Sequence, residues 1–253
     1  AGMGGTVDFI LDASGSMRAR LGDSGRSRFD VARQVVRRVL EGSGKGLTVG
    51  LRVYGHRYRA IKKEADRDSE LLVDFGPANR PELFEALERL RCRGKTPLTY
   101  SIEQALEELA QAPGRTRRIV LLTDGYESDR RARPTRAAAR AKAAGVQVDV
   151  VCFAMDDPTL LERVAAAGGG TCYSAKDGEQ LLAAVQSAML GRLDYRVLGE
   201  GGKVVARGAS GQELQLPAGP YRVELALPEG PRQVTAWIHQ DRLTTILVKP
   251  QSG

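Results

Sequence analysis

The 253-residue chain is long enough to bury one large core and a second small one, and its composition is that of an ordinary globular protein except for a low aromatic content of 5%. Its net charge of +7 falls almost wholly ahead of Leu193: from there on seven Lys/Arg face six Asp/Glu, against 31 and 25 before it. No apolar run approaches the ~20 residues that cross a bilayer, which excludes a membrane-spanning helix in these residues, and Cys92, Cys152 and Cys172 lack the spacing and the histidine cluster of a zinc site, so free buried thiols are expected.

Val7 to Leu11 reads as a buried strand that runs into the loop Asp12-Ala13-Ser14-Gly15-Ser16. Apolar residues at helical spacing then cover 28–40, stopped by Gly42-Ser43-Gly44. Strands are predicted over 47–54 and 70–75. Helices follow over 82–90, opened by Asn79 and Pro81, and over 98–110. Arg118 to Thr123 is a buried strand ending at Asp124-Gly125. Beyond it the pattern predicts a helix over 135–144, a strand over 146–153, a helix over 158–167, a short strand over 171–174 and a helix over 178–190. Strands alternating with helices imply an α/β unit with a mostly parallel central sheet covered by helices on both faces. Ligands in such sheets gather outside the carboxyl ends of the strands, where Asp12 to Ser16 and Thr123-Asp124-Gly125 both fall.

After Arg192 the rhythm changes to short alternating segments, over 195–198, 203–207, 213–216, 221–227, 233–239 and 243–249, separated by Pro/Gly turns. The division expected is an α/β domain over 1–192 and a small all-β, sandwich-like domain over 193–253. Leu216-Pro217-Ala218-Gly219-x-Tyr221-x-Val223 resembles the turn and strand of carboxypeptidase-regulatory and PEGA-type β-domains, and carries no chemistry.

The chemistry lies in the first unit. Asp12, Ser14 and Ser16, at i, i+2 and i+4 with small residues between, aim one carboxylate and two hydroxyls at a single point. Hard oxygen donors of this kind suit Mg²⁺ or Mn²⁺, and Ca²⁺ is a third candidate. Thr96, in a loop entering a helix, adds a hydroxyl, and Asp124 adds a second carboxylate at a strand end. Competing motifs fail on single positions. A P-loop needs Gly where Arg89 stands. An Mg²⁺-dependent aspartyl-phosphate hydrolase needs a carboxylate where Ser14 stands, and a Ser–His pair with His56 lacks the G-x-S-x-G elbow.

Asp12, Ser14 and Ser16 with Thr96 and Asp124, in that order and on those elements, resemble the metal-ion-dependent adhesion site of von Willebrand factor A domains. The resemblance runs from about Thr6 to Leu190. Val53-Tyr54-Gly55-His56 and Asp68-Ser69-Glu70-Leu71 are similar to a bacterial, typically exported subgroup. It implies a Rossmann-like fold in which Ser14, Ser16 and Thr96 ligate the ion, and Asp12 and Asp124 bind it directly or through water. The open position would take an acidic side chain of a protein partner, with no catalysis. The alternatives are a regulatory or assembly subunit of an ATPase or envelope complex, an RNA-binding domain of the same family, and an Mg²⁺-dependent hydrolase. His56, Arg130 and Arg131 are the candidate partner-binding residues beside the site. Arg133, Arg136 and Arg140 continue the basic segment on a solvent face, and the lack of interleaved aromatics there argues against nucleic acid. The subgroup implies cysteines near Ala65 and Ser128 that this chain lacks, which weakens an extracytoplasmic expectation without removing it. The chain opens with Ala1 rather than Met, so removal of the native N-terminus is expected, and whether a signal peptide or anchor went with it is left open by the sequence.

Overall fold

The computed structural model describes residues 5–22, 25–43, 47–76, 79–112, 114, 116–191, 194–209, 214–227, 230–242, 244 and 246. They form two compact units that divide between Met189 and Leu190. The first unit runs β1 (Thr6–Asp12), α1 (Arg28–Gly42), β2 (Thr48–Tyr54), β3 (Ser69–Gly76), α2 (Arg80–Arg89), α3 (Leu98–Leu109), β4 (Arg117–Thr123), α4 (Pro134–Ala143), β5 (Val146–Phe153), α5 (Thr159–Ala167), β6 (Gly169–Ala175) and α6 (Gly178–Leu190). Its six strands lie in the order β3-β2-β1-β4-β5-β6. All neighbours are parallel except β2 and β3. Strand order reverses between β1 and β4, so the switch point lies between Asp12 and Thr123.

Alternation along the strands sorts the core into two layers. Val7, Phe9 and Leu11 pack with α1, α2 and α6, whereas Ile10, Tyr54 and Leu121 pack with α3, α4 and α5. The start of α1 is fixed by the N-cap Ser27, whose hydroxyl accepts from the Asp30 amide at 3.1 Å and donates to the Asp30 carboxylate at 2.6 Å. Asn79 precedes α2 but does not cap it. Its amide instead donates to the carbonyls of Val49 and Asp74, pinning the edge of the sheet.

Beneath α3 the second layer contains a charged trio. Asp8 and Arg52 are fully buried on neighbouring strands with Arg52 Nε 3.5 Å from Asp8 Oδ2. The same guanidinium reaches Glu108 and, at 3.0 Å, the Ser69 hydroxyl. Burial pushes the Asp8 carboxyl up to about 7, with Arg52 opposing. Two of the three cysteines depart from the expectation of free thiols. Cys152 on β5 and Cys172 on β6 form a disulfide, because the parallel register sets Cys172 opposite Val150, one same-face step from Cys152. Cys92 is free. Strand β6 begins at Gly169 rather than Thr171, since Gly169 already pairs with Val148.

The second unit contains β7 (Asp194–Leu198), β8 (Val204–Ala209), β9 (Gly219–Leu227) and β10 (Gly230–Ile238) in one antiparallel sheet of order β10-β9-β7-β8. Val197, Val223, Leu225 and Ala236 form its core, and the Tyr221 hydroxyl closes the preceding turn on the Pro217 carbonyl at 2.9 Å. Of the other two expected strands, 214–216 is not in a strand, and most of 243–249, like 213, lies outside the described residues. A second layer is therefore not seen among the described residues.

Two outcomes follow for the buried trio. Arg52→Met strands the Asp8 and Glu108 carboxylates and should cost about 3–5 kcal/mol in urea unfolding. Because the folded-state pKa of Asp8 lies above its unfolded value, stability is highest below about pH 4 for this group and falls as the pH rises to about 7. Asp8→Asn should flatten that part of the stability–pH curve.

Candidate metal centre

The parallel register brings the carboxyl ends of β1, β2 and β4 side by side, with Asp12 opposite Tyr54 and Leu11 opposite Leu122. Asp12 is fully buried. One carboxylate oxygen accepts the Ser14 amide at 2.7 Å and the other accepts the Thr123 hydroxyl at 2.7 Å. The Tyr54 hydroxyl donates to the Thr123 oxygen at 2.9 Å, and the Gly125 amide does so at 3.1 Å, which completes a chain across three strand ends.

The second carboxylate lies across the switch point. The Ser16 hydroxyl donates to Asp124 Oδ1 at 2.6 Å and lies 2.9 Å from the Ser14 hydroxyl. Asp124 Oδ2 is held at 2.9 Å by Arg28, at the first turn of α1. Thr96 arrives on the α2–α3 loop. A Cβ added to Gly125 would lie 3.5 Å from the Thr96 hydroxyl and 3.6 Å from that of Ser16, so both flank the same glycine. The expected five oxygen-bearing residues are thus brought to one place, the β1–β4 switch point.

Two glycines permit this gathering. Gly55 has φ +71°, and a Cβ there would come within 2.6 Å of the Lys95 carbonyl and 2.9 Å of Ser14 Cα. A Cβ at Gly94 would meet the Tyr58 carbonyl at 2.6 Å. With no side chains between them, the α2–α3 loop lies directly on the β1 loop: Arg93 N–H donates to the Ala13 carbonyl at 3.1 Å and Gly15 N–H to the Gly94 carbonyl at 3.0 Å. Thr96 is braced from the other side, its amide donating to the Ser128 hydroxyl at 2.8 Å, while Glu127 receives the Thr99 amide at 2.8 Å.

Burial, then the neighbouring Asp124, pushes the Asp12 carboxyl up to about 6, with the Ser14 and Thr123 hydrogen bonds opposing. Two desolvated carboxylates with three hydroxyls form a donor set whose one ion-paired cation among the described residues is Arg28, and a hard divalent cation fits it. Among the described residues no group of three His, Cys, Asp or Glu could hold a metal, so the two carboxylates here would need other oxygen donors beside them. Cys92 lies near enough to feel both aspartates. Burial and then those charges push its thiol up to about 12, which leaves it a poor nucleophile.

The three candidate contact residues differ in their surroundings. His56, half-buried at the end of β2, has Nε2 3.2 Å from Glu70, and burial lowers its pKa. Arg130 and Arg131 are exposed on the loop after Asp124. Arg133 folds back onto the carbonyls of Arg130, Arg131 and Ala132, and Arg140 pairs with Glu103. Sequence reasoning missed Arg28 and the Tyr54–Thr123 pair. The only signal for Arg28 was its place behind the capping residue Ser27.

A family model described as von Willebrand factor type A domain matches residues 7–188. No curated protein matches the chain. Among solved structures, the conserved hypothetical protein BatB from Bacteroides thetaiotaomicron is similar over 72% of this chain and 96% of its own, with a TM-score of 0.60 and 19% identity. An aerotolerance-related membrane protein from Bacteroides fragilis is similar over 74% of this chain and 98% of its own (TM-score 0.59, 19% identity). A von Willebrand factor type A protein from Catenulispora acidiphila covers 95% of this chain and 68% of its own, with a TM-score of 0.59 and 18% identity. At these identities the likeness is one of fold.

Thr123→Val removes the hydroxyl that serves Asp12, Tyr54 and Gly125 together. It should lower stability by about 1–3 kcal/mol in thermal unfolding, whereas Ser128→Ala, on an exposed loop, should cost less.

Proposed function

The chain belongs to the von Willebrand factor type A domain family, whose members are commonly protein-interaction modules, and from that premise we propose that it binds a divalent cation, Mg²⁺ or Mn²⁺, and uses it to hold an acidic side chain of a partner protein. The observation that carries this reading is the convergence of Asp12, Ser14, Ser16, Thr96 and Asp124 on one point at the switch of the sheet. Ser14, Ser16 and Thr96 would hold the ion by neutral hydroxyls, with Asp12 and Asp124 as its counter-charges. When bound, the ion supplies a positive centre for an incoming carboxylate. Nothing at the site resembles an activated nucleophile with a base beside it, so the reading is recognition rather than catalysis.

Arg28 adds a cation to the site. By holding Asp124 Oδ2 it neutralises one of the two carboxylates and restrains it from swinging inward. An ion faced with fewer available negative charges keeps more attraction for a partner's carboxylate. Arg28 therefore weakens metal binding and strengthens ligand binding.

Calorimetry should show one Mg²⁺ or Mn²⁺ site in the wild type, removed by Asp12→Ala and by Thr96→Ala while circular dichroism shows both variants folded. Retention of the heat in both would reject the ligand assignment. Added metal should also raise the melting temperature by mass action, and chelator should reverse it. Arg28→Gln should tighten Mg²⁺ binding, on the order of tenfold, while weakening capture of a carboxylate-bearing ligand. A change of the same sign in both would remove Arg28 from this role.

A further inference from the structure

The metal-facing edge of the sheet is ringed by the described residues of four segments, 13–27, 55–68, 91–97 and 124–133. In sequence the four segments contain fourteen Lys/Arg and seven Asp/Glu, a surplus of seven that equals the surplus of the whole chain. Most of the acids are engaged. Asp68 is buried against Arg57, Asp66 pairs with Lys95, Asp124 is held by Ser16 and Arg28, Glu127 takes the Thr99 amide, and Asp129 takes the Arg131 amide. By contrast Arg18, Arg59, Lys62, Arg93, Arg130 and Arg131 are exposed, and none pairs with a carboxylate among the described residues. Cations on one loop are ordinary surface. Six unpaired ones from four loops that meet only because the fold gathers them constitute a directed field.

We propose that this rim selects an acidic segment of a protein partner, one that carries further Asp or Glu on either side of the carboxylate taken by the ion and an aliphatic residue beside them. The inference rests on the metal reading and adds the chemistry of the partner to it. The aliphatic requirement comes from Ile61, which lies between Arg59 and Lys62 and is 88% exposed. Among the described residues of this rim, Ile61 is the most exposed large apolar side chain, and an aliphatic one. The alternative polyanion, single-stranded nucleic acid, needs free aromatic platforms. The two exposed tyrosines here are already occupied: Tyr58 by the Arg57 guanidinium, 5.5 Å from its ring centroid, and Tyr126 by a hydrogen bond to the Asp157 carbonyl. Individually the rim cations are screened and contribute little. Together they raise the association rate and reject neutral or basic partners, an effect that salt removes within a Debye length of ~8 Å.

The test uses three fluorescein-labelled probes: a 15-residue Glu-rich peptide with one central Leu, the same peptide with every Glu replaced by Gln, and an oligothymidylate of 15 nucleotides. Anisotropy is measured with Mg²⁺ at low and high salt, against wild type, Thr96→Ala, and a rim variant carrying Arg59→Gln, Lys62→Gln, Arg130→Gln and Arg131→Gln. The wild type should prefer the Glu peptide. The rim variant should lose about tenfold in affinity for it at low salt and much less at high salt, with Mg²⁺ affinity by calorimetry not weakened. Thr96→Ala should lose only the Mg²⁺-dependent part. Should the wild type give no Mg²⁺ heat yet the rim effect persist, the metal reading falls and the rim inference stands. Equal binding of the Gln peptide, tighter binding of the oligothymidylate, or an unchanged rim variant would each overturn it.

Discussion

Two carboxylates are buried at the ends of adjacent parallel strands, and the surrounding structure is arranged to keep them there. Asp12 receives an amide and a hydroxyl, while Asp124 receives a hydroxyl and a guanidinium. Neutral dipoles lower the cost of burying a charge without cancelling it, so after Arg28 one negative charge is still not balanced. Burial, and after it the charge of Asp124, raises the Asp12 pKa accordingly. On the proposed reading, that unbalanced charge is what a cation would offset.

The same constraint organises the backbone. Holding Asp12 requires the β1 loop to turn back at Ser14, and the β2 end and the α2–α3 loop then close over it through Gly55 and Gly94. That closure delivers Thr96 from a segment more than 80 residues away in sequence. It also places Arg93 and the 56–62 segment at the mouth, because their backbones are the ones in contact. The donor set and the rim are thus two consequences of one close approach. A side chain at either glycine would disturb both.

Much of this was legible in the sequence. The buried strands ending in Asp12 and Thr123, the helical periodicity between them and the stop signals at glycines gave the α/β order, since each depends on neighbours within a turn or a strand. The Asp12-Ser14-Ser16 spacing is local too, and Thr96 and Asp124 became candidates through resemblance to a family with that arrangement. What stayed hidden was long-range pairing. Arg28 on Asp124, Tyr54 on Thr123 and Arg52 between Asp8 and Glu108 join residues whose sequence separation carries no pattern. The Cys152–Cys172 bridge is of the same kind: only the β5–β6 register shows that two cysteines 20 residues apart share a face. In the second unit, alternation revealed β7, β8, β9 and β10 but also marked 213–216, of which the described residues 214–216 are not in a strand. Alternation is necessary for a half-buried strand and does not by itself produce a partner to pair with.

On the proposed reading, an anionic pair lies inside a cationic ring, an arrangement that at first looks self-defeating for metal capture. Arg28 and the rim both oppose an arriving cation and both attract an arriving carboxylate. The two ligands must then help one another. The ion offsets the buried charge that makes the site unstable, and the partner's acidic groups offset the rim that makes the ion's seat unfavourable. By linkage each raises the affinity for the other by the same factor. A domain with an all-anionic mouth would bind its metal tightly and its partner weakly. On the proposed reading, the distribution of charge in this chain shifts the balance the other way, toward a metal seat that an arriving acidic partner would complete.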